Sequence, residues 1–255
     1  MINIEKQIAE THRSVELSYK NIIARYAPLS DPHYLMSEPK RNFLQQLART
    51  NNQTLALCNR GSGIYNFLHL RNNDYSQQFE EKVEMIRFLR LMHPDDLEHF
   101  QKAWQFVESF IQSKHSTRLI NYALVFECRL KDDLEQYQRV IFKYKIILED
   151  NEKRGQLLLF LRSVDGAIRH IPHREIYVID VRNKTYVYSG KENVISNREK
   201  EVIQLSQKGL DSKEIAQKLF VSDETIRMHR KNAIRKLALK DTGSVACYLM
   251  EMGVM

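Results

Sequence analysis

The sequence predicts an α+β protein, in which an antiparallel sheet domain with helices is followed by an all-α domain of four helices. Three observations predict it. At 255 residues the chain exceeds what one small core needs, which favours two domains. Three long stretches in its middle, Leu119–Leu130, Gln138–Leu148 and Leu157–Val164, have strand character and are separated by the polar turns 131–136 and 149–155. After Asn193 the texture changes to repeated helix caps, each followed by an apolar stripe. The boundaries expected are 1–51 for a helix and loop, 52–165 for the sheet domain, 166–192 for a connector with a hairpin, and 193–255 for the helical domain.

Taking the elements in order, Ile4, Ile8, Val15, Tyr19, Ile22 and Tyr26 recur at helical steps and predict an opening amphipathic helix, packed either on its own domain or across a dimer. Pro28, Pro32 and Pro39 then mark a loop. Thr54–Cys58, the turn Gly61-Ser62-Gly63 and Ile64–Leu70 read as a hairpin. A helix is expected from Gln77 to Met92, and a second from His93-Pro94-Asp95-Asp96, where proline suits the first turn and two carboxylates suit the positive end of the helix dipole. Trp104, the only tryptophan, lies on one face with Phe100, Val107 and Phe110 or Ile111, a core stripe. In Gln138–Leu148, Val140, Phe142, Tyr144 and Ile146 alternate with Ile141, Lys143 and Lys145, so one face of that strand should be more buried than the other. Beyond Pro172, Ile176–Val181 and Thr185–Tyr188 predict a small hairpin that spaces the domains.

The segment from Asn52 to Asp165 resembles the PAS sensor family. The resemblance rests on the order of two strands, a helical middle and three long strands, and on the helix start His93-Pro94-Asp95-Asp96-Leu97. It implies a domain that senses an unknown small molecule or holds a protein partner.

Composition narrows the function. With 43% hydrophobic and 28% charged residues the chain can build a core, and no stretch reaches the length of an apolar membrane span. Met1 to Glu10 alternates charge with isoleucine, unlike a signal peptide, so the expected location is cytoplasmic, with no membrane partner. Cys58, Cys128 and Cys247 lie far apart without metal-ligand spacing and read as reduced structural thiols. His69, His93, His99, His115, His170 and His173 are scattered, with neither metal-ligand nor nucleophile spacing. A haem on His93 is weighed and set aside, because a helix-start role explains that residue. No cofactor, metal or catalytic residue is expected, and no enzyme. The net charge of +7 permits an anionic partner.

That charge is concentrated. Ser196 with Glu199, and Asp211 with Glu214, have the spacing of capping boxes; Gly209 ends the first of these helices, and Ser222 caps a third with Asp223 and Glu224 in its first turn. Two short helices joined at Phe220-Val221 form a helix-turn-helix, whose second helix enters a major groove. At 100° per residue, Ile226, Ala233 and Leu237 form its buried stripe, flanked by His229 and Arg230, while Arg227, Met228, Lys231 and Arg235 point outward. From Ser222 to Lys240 six basic residues stand against two acidic ones, which supplies +4 of the chain's +7. A merely solvated face would interleave acids beyond the first turn.

The C-terminal segment resembles the LuxR/FixJ-type DNA-binding domain, through Ile195-Ser196-Asn197-Arg198-Glu199-Lys200-Glu201-Val202-Ile203, Gly209, Lys213-Glu214-Ile215-Ala216, Leu219, Val221-Ser222, Thr225-Ile226, His229-Arg230 and Lys236-Leu237. Asp211 stands where serine is usual, and Ala238 where glycine or asparagine is frequent. The resemblance implies a double-stranded DNA partner, with Arg227, Met228 and Lys231 facing bases and Lys213, Thr225, Arg230 and Arg235 at phosphates or the flank. Glu214 is then a buried structural acid. A last helix, about Ser244 to Met252, resembles the dimer-forming helix of the family and implies a homodimer. Receiver domains, usual among such regulators, would show clustered acids after a first strand and a strand-borne lysine, and the N-terminal segment shows neither. The competing reading is a protein-interaction module in which the PAS-like domain holds a partner and DNA binding is secondary.

Overall fold

The computed structural model describes residues 10, 13, 17, 20, 37–59, 62–71, 81–113, 121–147, 156–164, 176–182, 185–188, 195–253 and 255. Most of the expected opening helix, and the Pro28 and Pro32 loop, lie outside these residues; Glu10, Arg13, Leu17 and Lys20 are helical.

Among the described residues eight strands form one antiparallel sheet in the order β3-β2-β1-β6-β5-β4-β7-β8. They are β1 (Thr54–Asn59), β2 (Ile64–His69), β3 (Lys82–Glu84), β4 (Tyr122–Lys131), β5 (Tyr137–Ile147), β6 (Gln156–Ser163), β7 (Tyr177–Asp180) and β8 (Thr185–Tyr188). The sheet-associated helices are α1 (Glu38–Thr50), α2 (Met85–Leu91) and α3 (Leu97–Ser113). β4, β5 and β6 form the expected meander, and β1 pairs with β6 so that the first hairpin closes onto it. The two strands, helical middle and three long strands of the PAS-like order are therefore all present.

Strand alternation gives the sheet two covered faces. On one, Ala56, Cys58, Tyr65, Phe126, Cys128, Phe142 and Tyr144 meet Phe88, Phe100 and Trp104 from α2 and α3. The rings of Phe126 and Phe142 stack at 5.3 Å. Burying one large apolar side chain in this way contributes about 1.5–3 kcal/mol. On the other face, α1 covers Leu55, Leu57, Leu68 and Leu158 with Leu44 and Ala48. The remainder of that face, around Ala123, Val125, Ile141, Tyr177 and Ile179, is covered by the C-terminal helices.

Several expectations change. Pro39 lies in the first turn of α1, where its missing N–H costs nothing, so the loop expected there is a helix start. Of the helix expected from Gln77 to Met92, residues 77–80 lie outside the described residues, residues 82–84 pair with β2 instead, and α2 is the helical part. Asp96 does not serve a solvent-exposed helix dipole: it is fully buried against Arg129. The β7–β8 hairpin is more than a spacer, since β7 pairs with β4 and extends the sheet. In β5, Arg139 and Ile141 are as buried as Val140 and Phe142, because the face expected to be less buried carries the C-terminal helices. No helix among the described residues is long and apolar enough to cross a membrane.

Candidate nucleic-acid interface

Four helices follow the sheet, α4 (Asn197–Gln207), α5 (Ser212–Leu219), α6 (Asp223–Leu237) and α7 (Thr242–Glu251). Their starts are set by side chains that satisfy the unpaired N–H groups of the first turn. The Glu199 N–H donates to Ser196 Oγ at 3.2 Å while the Ser196 N–H donates to Glu199 Oε2 at 2.8 Å, closing the capping box of α4. Asp211 Oδ1 accepts from the N–H groups of Lys213 and Glu214 at 2.8 and 2.9 Å, and Glu214 Oε2 accepts from the Asp211 N–H at 2.8 Å. Ser222 Oγ accepts from the Thr225 N–H at 3.1 Å and starts α6.

The ends are set by left-handed residues. Gly209, at φ 85°, lets the chain leave α4 without a Cβ penalty. Phe220 takes the same region at φ 54° and ends α5, with its side chain 95% exposed. That tight turn sets α6 across α5, and Ile215, Ala216 and Ile226 close on Val202 and Leu205 of α4.

The helix facing outward matches the periodicity. Ile226, Ala233 and Leu237 are buried, and Arg227, Met228, Lys231 and Arg235 are exposed. Lys213 at the start of α5 is exposed and Thr225 is half-buried, with its hydroxyl 2.8 Å from Ser222 Oγ. Arg227 pairs with Asp223 one turn earlier at 3.3 Å; such exposed pairs are worth only a few tenths of a kcal/mol, so the guanidinium can exchange this partner for a stronger one. Arg230 is placed otherwise. It donates to Ser206 Oγ at 3.0 Å and Ser212 Oγ at 2.9 Å, tying α6 to the end of α4 and the start of α5.

Glu214 is exposed and acts as a cap, so the buried acid of this segment is Glu199 instead. Glu199 Oε2 accepts from Lys236 Nζ at 2.9 Å, linking the first turn of α4 to the last turn of α6. Arg198 Nη2 donates to the Leu219 carbonyl at 2.7 Å and closes the end of α5. Neither link is local in sequence: Lys236 lies 37 residues from Glu199, and Arg198 lies 21 from Leu219.

Burial alone would raise the Glu199 carboxyl, but the Lys236 ammonium and the Ser196 donors outweigh it and hold the group below the ordinary glutamate range. A depressed folded-state value means that this stabilisation is complete above the unfolded value, about 4.3, and is lost as pH falls through the folded one. Urea unfolding followed by helical circular dichroism is expected to show stability declining below about pH 4.5, less steeply in Glu199→Gln. Equal slopes for wild type and variant would remove Glu199 from the acid transition.

Residues 193–249 match the family described as bacterial regulatory proteins, luxR family. The spore germination protein GerE of Bacillus subtilis is 38% identical over 60 residues, 24% of this chain and 81% of that protein. The chain belongs to the luxR family. Its relation to longer members is partial. The oxygen regulatory protein NreC of Staphylococcus aureus (strain bovine RF122 / ET3-1) is 31% identical over 107 residues, 40% of this chain and 49% of NreC, so the chain spans about half the length of that relative. Among solved structures, the Vibrio cholerae VqmA dimer, described as a LuxR-type receptor, covers 86% of this chain and 89% of its own at 12% identity and a TM-score of 0.31. Membership of the luxR family accounts for the recurrence of caps, left-handed turns and an exposed cationic helix in one segment.

Proposed function

We propose that this protein is a sequence-specific, DNA-binding transcription regulator that acts in the cytoplasm as a homodimer, with residues 193–255 reading DNA. Residues 52–165 sense a small molecule or protein partner that modulates the reading; residues 1–51 precede this sensor and 166–192 connect it to the reader. No catalytic step and no cofactor is assigned.

The carrying observation is the outward face of α6, where Arg227, Met228, Lys231 and Arg235 are exposed together on the second helix of a helix-turn-helix. In the groove, Arg227 makes a bidentate contact to guanine, Met228 packs on a thymine methyl and Lys231 reaches an adjacent base edge. Lys213, Thr225 and Arg235 meet phosphates at the flank, which position the helix without reading sequence, while Arg230, expected there too, braces α6 against α4 and α5 through Ser206 and Ser212. A luxR-type reader of this size covers one half-site, so a dimer on two-fold-related half-sites supplies specificity.

Genome-wide occupancy of the wild type beside Arg227→Ala/Lys231→Ala tests the reading. Discrete peaks sharing a two-fold motif, lost in the variant, are expected. Peaks that survive both substitutions would mean that this face does not read DNA. Binding also falls with salt: for about six neutralised phosphates the log–log slope is on the order of −5, measured by fluorescence anisotropy on duplex DNA. A flat salt response would count against DNA as the partner.

A further inference from the structure

The outer face of the sheet holds a polar cluster that helix-turn-helix chemistry does not use. Arg139 on β5 is fully buried, 98 residues before Leu237, yet its Nη1 donates to the Leu237 carbonyl at 3.0 Å. Leu237 ends α6 and Ala238 follows in the left-handed region, so the guanidinium sits on the carbonyl end of the recognition helix, where a cation is favoured. The same guanidinium donates to both carboxylate oxygens of Glu127 on β4, at 2.6 and 3.3 Å. Tyr248 of α7 donates its hydroxyl to Glu127 at 2.8 Å, and its ring lies 5.8 Å from the Arg139 guanidinium carbon. Burial first, then the Glu127 charge, holds the Tyr248 phenol well above its ordinary range, so it remains a neutral donor.

We propose that Glu127, Arg139 and Tyr248 form a latch by which the sensor strands set how the recognition helix is mounted, making Arg139 a positioning residue for DNA reading. The inference rests on the regulator reading above and names its route. β5 is the mechanical link, because Val140, Phe142 and Tyr144 face the sensor core while Arg139 and Ile141 face the reader helices. A shift of β5 in response to the core therefore moves the end of α6. The docking is close: a Cβ on Gly253, at φ 67°, would lie 2.0 Å from Ile179 Cδ1 on β7. The seam is nevertheless not packed shut. A half-open cleft of about 220 Å³ lies beside the latch, between Arg162 and Val164 on one side and Ser244, Cys247 and Glu251 on the other. Arg162 pairs with Glu251 across it, and beneath it Val125 and Ile141 share one apolar core with Leu237 and Val245, so a displacement of β5 is passed to the helices rather than absorbed at the seam.

The test uses the full chain and Tyr248→Phe, which deletes one hydroxyl and keeps the ring; the charge-balanced pair Glu127→Gln/Arg139→Met is the second variant. In DNA-free protein, hydrogen exchange of α7 and of the last turn of α6 is expected to quicken at least tenfold, with β1 and β6 unchanged within twofold. On duplexes carrying the selected operator with its half-site spacing native or changed by one base pair, the wild type is expected to discriminate about tenfold and both variants less than threefold, with random-duplex affinity unchanged. Unaltered exchange in α7, a rise shared by β1 and β6, or intact discrimination despite faster exchange would each overturn the latch. A wild type indifferent to spacing would overturn the half-site reading, and the exchange contrast would still decide by itself whether the latch holds the helix.

Discussion

Replacing Arg227 by alanine is expected to weaken operator binding by roughly ten- to a hundredfold, which corresponds to about 1–3 kcal/mol for one bidentate base contact. Binding to random duplex should fall much less, since only one of several cationic groups on the α6 face is lost. Arg227→Lys separates charge from geometry. Lysine preserves the charge but offers a point donor in place of the planar fork, so nonspecific affinity and salt slope should match the wild type while specificity at one base pair relaxes. Competition anisotropy against operators mutated at each position reads this directly. If Arg227→Lys retains full specificity, Arg227 is a phosphate contact and the base-reading role moves elsewhere on the helix. Folding is not at stake in either variant, because the side chain is 61% exposed and its partner in the protein is Asp223, half-exposed in the same helix.

The second large effect lies in the sheet. Asp96 has an essentially fully buried carboxylate that accepts from the Arg129 backbone N–H at 2.8 Å, from Nε at 3.0 Å and from Nη2 at 2.7 Å. Asp96→Ala leaves the Arg129 guanidinium, 5% exposed, without that carboxylate and should cost about 3–5 kcal/mol of stability. The neighbouring Asp95 provides the control. It lies 3.5 Å from the same guanidinium but is 65% exposed, so Asp95→Ala should cost under about 1 kcal/mol. Urea unfolding followed by the fluorescence of Trp104, buried in the same core, distinguishes the two. Equal losses for both variants would show that burial of the pair does not govern its contribution. At this helix start Asp95 stays exposed in the first turn, as its position in the sequence implies, and only Asp96 turns inward. His93 Nδ1 caps the first turn, accepting from the Asp95 N–H at 3.2 Å, which frees Asp96 to reach across to β4.

What sequence alone determined here is local. Ser196, Asp211 and Ser222 name the starts of α4, α5 and α6 because a cap is a bond between residues two or three apart, and 3.6-residue periodicity names the buried and exposed faces of α6 because both are properties of one helix. The meander was legible for the same reason, since strand runs and polar turns are short-range patterns. Tertiary structure decided the rest. Lys82–Glu84 became a strand because β2 offered an unpaired edge. Arg139, which in sequence looks like one more basic residue near the start of a strand, is buried because Glu127, the Leu237 carbonyl and Tyr248 converge on it from up to 109 residues away. A buried charge is tolerated only where such partners surround it, and the pairing of elements distant in the chain is what no local pattern encodes.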